Sequence, residues 1–158
     1  MSPARRLLPL LGATGVVVLL HQSGDAATAL SGADLHLAAG RLQVVATMGT
    51  RAAALMTADI LLICSAVALS HRPAIRILAI LHFVVSGLAL LALPLFVADA
   101  GTLANTVGGG AVLTYRFLVM RILVFLLAGG LAGLIVGSQL IGISHELSAR
   151  RAPIADDH

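Results

Sequence analysis

Residues 115–143 decide the fold, and they read YRFLVMRILVFLLAGGLAGLIVGSQLIGI. Apart from two arginines and a few small polar groups the run is apolar, and it exceeds the roughly 20 residues that cross a bilayer as a helix. Gly129, Gly133 and Gly137 recur every four residues, so in a helix they lie one above another on one face. Small residues at this spacing allow a second helix to approach closely. The stretch therefore predicts a membrane-spanning helix whose packing face contains these three glycines.

The composition of the whole chain points to lipid as its solvent. Hydrophobic residues make up 59% of the 158 residues and charged residues 11%, against about 45–50% and about 25% in typical soluble domains. A soluble fold of this size still exposes roughly 30% of the surface of its unfolded chain, which is too much for so apolar a sequence. We therefore predict an all-α fold, an integral membrane four-helix bundle that forms a single transmembrane domain over residues 1–158.

Four apolar segments supply the predicted spans, at about residues 6–21, 52–70, 74–97 and 115–143. The second and third are separated by a His-Arg-Pro sequence, and Pro73 suits the first turn of the helix that follows it. Residues 99–114 include a glycine-rich stretch without periodicity and predict a flexible loop. The tail at 152–158 is predicted to be disordered.

The first apolar segment allows two interpretations. Leu7–Leu20 is a 14-residue run that follows two arginines, and it is shorter than a typical span, so a cleaved signal peptide is an alternative to a membrane helix. The small residues at 24–26 match a cleavage site poorly because Asp25 lies between them, which favours an uncleaved first span. The polar residues 22–34 then predict a loop.

Residues 35–51 have a helical pattern with a narrow polar face. Arg41 and Gln43 make the segment too polar for a comfortable span, so it is either an interfacial helix or the projecting start of the second span. No proline separates it from the residues that follow, and Gly49 offers only a possible bend. This favours a helical extension before the second span.

The arginines predict the orientation, since cytoplasmic loops carry an excess of Lys and Arg. With four spans and a cytoplasmic N-terminus, six arginines fall on the cytoplasmic side and three on the other, with Arg121 inside the membrane. The six are Arg5, Arg6, Arg72, Arg76, Arg150 and Arg151, and the three are Arg41, Arg51 and Arg116. The distribution predicts a multi-pass protein of the inner (plasma) membrane with both termini in the cytoplasm.

Three ionisable residues fall within the predicted spans and form the candidate intramembrane polar site: Asp59, His82 and Arg121. A charged side chain in a membrane helix costs about 2.5–3.5 kcal/mol unless it is paired, protonated or hydrated. Arg121 is predicted at a depth that lets it pair with Asp59, and His82 is predicted about one turn from Asp59 across the second hairpin. Two interpretations stay open: a structural pair that fixes helix register, or a relay that carries protons, ions or a polar substrate.

Other chemistry finds little support in the sequence. Cys64 is the only cysteine, so an internal disulfide is excluded, and we expect it to be buried as inert packing. The arginines form no basic stripe, which argues against nucleic-acid binding. A haem on His82 would need a second axial ligand at a suitable depth, and His21, His36, His71 and His145 fall at predicted helix ends. No cofactor, metal or catalytic residue is predicted.

These observations favour a non-catalytic accessory or assembly subunit whose partners are the lipid bilayer and a homo-oligomer or larger membrane complex. The alternative is a small oligomeric transporter or proton-coupled carrier that uses Asp59, His82 and Arg121. The sequence contains neither an acid in the first span, as small multidrug exporters have, nor a nucleophile next to a base.

Overall fold

The computed structural model describes residues 3–109 and 111–149, and it is helical throughout apart from three short connections. Four helices follow one another: α1 (Pro3–Ser31), α2 (Ala38–Ala68), α3 (Arg72–Ala104) and α4 (Ala111–Ala149). None of the residues in these two ranges lies in a β-strand. The prediction of an all-α fold with four helices is confirmed.

Each helix is long and apolar enough to cross a membrane. The shortest, α1, has 29 residues and is therefore about 44 Å long at a rise of 1.5 Å per residue. The hydrocarbon core of a bilayer is only about 30 Å thick. Every helix can thus cross it and still extend into the polar headgroup region at one or both ends.

The predicted loop at residues 22–34 is wrong, because α1 continues to Ser31. Residues 26–30 are mostly alanine and leucine, which favour helix, and no proline interrupts them. The hydroxyl groups of Ser23 and Thr28 donate to the carbonyl oxygens of Leu19 and Gly24, four residues earlier, at 2.7 and 3.0 Å. These bonds satisfy the small polar side chains within the helix, so a polar composition here does not end it.

The connections are shorter than the sequence suggests. Only residues 32–37 separate α1 from α2, and only residues 69–71 separate α2 from α3. The predicted loop at 99–114 is reduced to residues 105–110, since α3 continues to Ala104 and α4 begins at Ala111. The polar segment 35–51 lies mostly inside α2, which runs unbroken through Gly49. The predicted disordered tail lies outside the described residues.

The helices pack mainly against their neighbours in sequence. α1 packs against α2, α2 against α3, and α3 most extensively against α4, while α2 and α4 touch only slightly. Within the described ranges, no Cα atom of α1 lies within 8 Å of α3 or α4. Short connections make sequence neighbours antiparallel, which explains the order of packing.

Two apolar clusters fill the interior between α2, α3 and α4. Near the α2–α3 connection, Ala66, Ile75, Ala79 and Leu140 are buried together, and near the α3–α4 connection Phe96, Ala100, Ile122 and Leu126 form the second cluster. The outer surfaces carry large apolar side chains, among them Leu91, which is 75% exposed. Such an apolar exterior is suited to lipid and not to water.

The glycines of α4 divide between two faces. Gly133 and Gly137 lie against α3: a Cβ atom at residue 133 would be 2.0 Å from Ser86 Oγ, and one at 137 would be 3.3 Å from the carbonyl oxygen of Ala79. Gly129 lies outside this contact, with no atom within 4 Å of where its Cβ would be. Only two of the three glycines singled out in the sequence therefore bring α4 close to α3.

This division predicts different effects of the same substitution. Gly137→Leu should destabilise the protein by about 1–3 kcal/mol, the usual cost of overpacking, because Phe83, Ala79 and His82 surround the position. Gly129→Leu is the matched control and should change stability little. Thermal unfolding in detergent, followed by circular dichroism, measures both. Equal melting temperatures for the two variants would contradict the packing described here.

Candidate intramembrane polar site

Asp59 and His82 meet between α2 and α3. Asp59 Oδ2 lies 3.0 Å from His82 Nε2, and His82 Nδ1 lies 2.8 Å from the carbonyl oxygen of Leu78, one turn earlier in α3. The His82 side chain is 13% exposed and that of Asp59 is 38% exposed. The two residues that the sequence predicted at neighbouring depth are therefore in direct contact.

Both ring nitrogens of His82 are engaged. Nδ1 lies against a backbone carbonyl oxygen, which can only accept a hydrogen bond, and Nε2 lies against the Asp59 carboxyl. The imidazole therefore links α3 to α2 through a contact between two titratable side chains.

Arg121 does not pair with Asp59 as the sequence suggested. Its side chain lies in a groove of about 630 Å³ between α2 and α4, which is also lined by Ala46, Gly49 and Gly129. The pairing depends on which helix faces meet as well as on depth in the membrane. Because α2 meets α3 far more extensively than it meets α4, His82 and not Arg121 contacts Asp59.

A second charged pair, Arg41 with Asp99, also joins α2 to α3. Arg41 Nε donates to Asp99 Oδ2 at 2.7 Å, and Arg41 Nη2 donates to Oδ1 at 2.6 Å. Nη1 donates to the carbonyl oxygen of Leu35 at 2.6 Å. Two parallel bonds of this kind are the strongest geometry for an arginine with a carboxylate. The Asp99 side chain is only 9% exposed, so this acid is buried and depends on its partner.

Sequence reasoning missed this pair because it placed Asp99 in the loop after the third span and treated Arg41 as a helix-end anchor. One signal was available. In an antiparallel hairpin, the start of the first helix and the end of the second lie at the same end. An arginine near the start of the first helix is therefore close to an acid near the end of the second. A search for opposite charges at matching ends would have found it.

The α1–α2 interface contains a third charged pair. Arg51 Nη1 donates to Asp25 Oδ2 and, at 3.5 Å, to Gln22 Oε1. His21 Nε2 is 3.9 Å from the same carboxylate oxygen. Near the other end of α1, Ser65 Oγ donates to the carbonyl oxygen of Leu8 at 2.7 Å. α1 is therefore held to α2 by polar contacts near both of its ends.

Two polar links join α3 to α4. Arg76 Nε donates to Ser144 Oγ at 3.1 Å, and the Tyr115 hydroxyl donates to the carbonyl oxygen of Ala100 at 2.6 Å. Each pair of sequence-adjacent helices thus has at least two polar contacts between its members. Polar groups in the interior of a membrane protein need partners within the protein, and most of the side chains described above find them across helix interfaces.

The remaining sequence candidates do not join this site. Cys64 is exposed on the outer surface of α2, so the expectation that it would be buried is wrong. Within the described ranges, no group of three or more His, Cys, Asp or Glu side chains is arranged to hold a metal ion.

Comparison with known proteins adds no assignment for these residues. No protein-family model, curated protein or solved structure matches this chain. The chemistry open to the polar side chains therefore follows from their geometry: paired charges that join helices, and one contact between the titratable side chains of Asp59 and His82.

The Arg41–Asp99 pair leads to a test of stability. Asp99→Asn should lower the melting temperature in detergent, because the amide leaves the Arg41 guanidinium without its carboxylate. Arg116→Gln, a change at an exposed arginine of α4, is the control and should have little effect.

A double-mutant cycle with Arg41→Gln isolates the interaction. The losses in Asp99→Asn and Arg41→Gln should add up to more than the loss in the double variant, because each single change removes the same contact. Strictly additive losses would show that the pair contributes no coupling.

Proposed function

We propose that this chain is a non-catalytic multi-pass subunit of the inner (plasma) membrane that serves as an accessory or assembly partner. One observation carries the proposal: three acids within the helices, one each in α1, α2 and α3, contact an arginine or a histidine of the neighbouring helix. Asp25, Asp59 and Asp99 each have such a partner. Groups used in this way hold the helices in register and leave little for chemistry on a substrate.

The groove between α2 and α4 supports a role in assembly. It is lined largely by small residues, including Gly49, Ala53, Gly129 and Ala132. Backbones of two helices can approach closely where side chains are small. A helix from a second copy of this chain, or from a larger membrane complex, is the kind of partner that such a groove can accept.

The second candidate is a small oligomeric, proton-coupled carrier that uses Asp59, His82 and Arg121. The observation in its favour is the contact between two titratable side chains, Asp59 and His82, of which the Asp59 side chain is 38% exposed. Against it, the groove that contains Arg121 is lined by neither Asp59 nor His82. A carrier would have to bring these residues together in another conformation.

Two substitutions at Asp59 separate the candidates. Asp59→Asn can donate from its amide to a neutral His82, so it keeps the interhelical bond but carries no exchangeable proton. Asp59→Leu leaves His82 Nε2 without a partner and should cost about 1–3 kcal/mol of stability. For an accessory subunit we expect that Asp59→Asn melts close to the wild type and Asp59→Leu melts lower.

Proton flux into liposomes that contain the purified protein provides the second measurement. An accessory subunit should give no flux above empty liposomes. A wild-type flux that disappears in the stable Asp59→Asn variant would refute the accessory proposal and establish the carrier.

The proposed orientation places both termini in the cytoplasm. A fluorescent protein that folds only in the cytoplasm, fused after residue 149, should be fluorescent, and a fusion within the connection at 32–37 should be dark. To test whether the arginines set the orientation, the same fusions are made in a variant in which Arg72 and Arg76 are replaced by Gln. A full-length C-terminal fusion that is not fluorescent would contradict the proposed orientation.

Retention of the first span is part of this proposal. α1 is a continuous helix to Ser31, and Gly12 and Gly15 bring it against α2: a Cβ atom at residue 15 would be 3.0 Å from the carbonyl oxygen of Ala58. Cleavage near residues 24–26 would remove this interface. Intact mass of the membrane-extracted protein distinguishes the two forms.

A further inference from the structure

The connection between α2 and α3 forms one wall of a concavity. Ser70 has a φ of +52°, in the left-handed region. This conformation is usual for the residue that ends a helix: the His71 N–H donates to the carbonyl oxygen of Ala66 at 3.0 Å, and the Ser70 N–H donates to that of Val67 at 2.9 Å. His71 then caps α3, since its Nδ1 accepts from the backbone N–H of Ala74 at 3.3 Å. The concavity has a volume of about 770 Å³.

Arg72 supplies the observation that points to a ligand. Its Nε and Nη2 atoms line the protein interior without solvent contact, and they have no hydrogen-bond partner among the described residues. Arginine stays charged in proteins and can only donate. Buried donors of a charged group are costly unless an acceptor reaches them. Two adjacent donors in the fork geometry of a guanidinium match two oxygens of one anion.

The other polar groups that line the concavity are positively charged, like Arg72, or are neutral hydrogen-bond donors. Arg76 is fixed in position because its Nε donates to Ser144 Oγ at 3.1 Å. His71 accepts at Nδ1, so the proton of its neutral ring is on Nε2, which is a donor. The Ser70 hydroxyl also lines the concavity, and none of the lining residues is acidic.

The place of the concavity in the fold indicates the source of the anion. It lies where two membrane-spanning helices are joined, which is the level of the headgroups in a bilayer. Leu69, Pro73 and Ile77 form its apolar part, a surface suited to the glycerol and upper acyl region of a lipid. Basic pockets between membrane helices are suited to phosphate headgroups.

We propose that the α2–α3 connection binds a phosphate group carried by an anionic phospholipid. The Arg72 guanidinium turns from its enclosed position toward the concavity and donates to two phosphate oxygens, Arg76 adds the second positive charge, and Ser70 and His71 donate from the rim. This site is independent of the Asp59–His82 pair and of the proposed assembly role.

Native mass spectrometry of the full-length protein in detergent tests the proposal. Dioleoyl phosphatidylglycerol is the anionic probe, dioleoyl phosphatidylcholine is the zwitterionic control, and inorganic phosphate is the competitor. Arg72→Met keeps the apolar stem and removes the donors, so we expect affinity for the first phosphatidylglycerol to fall about tenfold or more. Arg116→Met, at the opposite end of the helices, is the matched control and should leave that affinity unchanged.

The outcomes divide clearly. Loss in Arg72→Met alone, with no competition by inorganic phosphate, supports a lipid headgroup site. Full competition by inorganic phosphate supports the phosphate site but overturns the lipid as its source. Equal affinities in Arg72→Met and Arg116→Met, or equal binding of the two wild-type lipids, overturn the proposal.

Folding of the variant is checked without lipid. Because the two Arg72 donors have no partner among the described residues, Arg72→Met should melt no lower than the wild type in lipid-free detergent. If it does not fold, Arg72→Lys keeps the charge and replaces the fork by a single point donor. The Arg72→Lys variant should bind phosphatidylglycerol more weakly than the wild type does. It should still bind phosphatidylglycerol more tightly than it binds phosphatidylcholine. Equal binding of the two lipids by the wild type would again refute the site.

Discussion

Lipid offers no hydrogen bonds, and this constraint organises the whole structure. Backbone groups are satisfied inside the four helices, which leaves the polar side chains to find partners across helix interfaces. Asp25, Asp59 and Asp99 each do so with an arginine or a histidine on the neighbouring helix, and Ser65 and Tyr115 do so with backbone carbonyl oxygens. Hydrogen bonds between membrane helices average only about 0.6 kcal/mol each. Their effect here is to select one register for each helix pair.

Polar contacts and glycine contacts act at the same interfaces. Gly12 and Gly15 bring α1 onto α2, and Gly133 and Gly137 bring α4 onto α3. The α2–α3 interface instead carries both Asp59–His82 and Arg41–Asp99. The outer helix pairs therefore combine close backbone approach with polar contacts, among them Asp25–Arg51 between α1 and α2, while two of the three contacts made by acids between helices lie in the central pair. Short connections keep each of these pairs antiparallel and limit how far they can slide.

Hydropathy was sufficient to predict four helices, because lipid demands long apolar segments whatever the tertiary contacts are. It failed at residues 22–34 and around Asp99, where polar composition was taken for a loop, since polar groups bonded within the protein do not end a helix. Within the candidate site, the depth argument correctly placed His82 near Asp59. It could not choose between His82 and Arg121, because that choice depends on helix rotation and on which helices are neighbours. The depth of a residue in the membrane gives neither the rotation of its helix nor the identity of the neighbouring helices.

The position of α1 has a consequence for how the assembly comes apart. Neither apolar cluster contains a residue of α1, and this helix contacts only α2 in the described ranges. The remaining three helices keep their shared interior whether or not α1 is in place. α1 is thus attached through α2 alone. Because the α1–α2 interface is more extensive than the α2–α3 interface, the chain should separate first between α2 and α3, into two antiparallel hairpins.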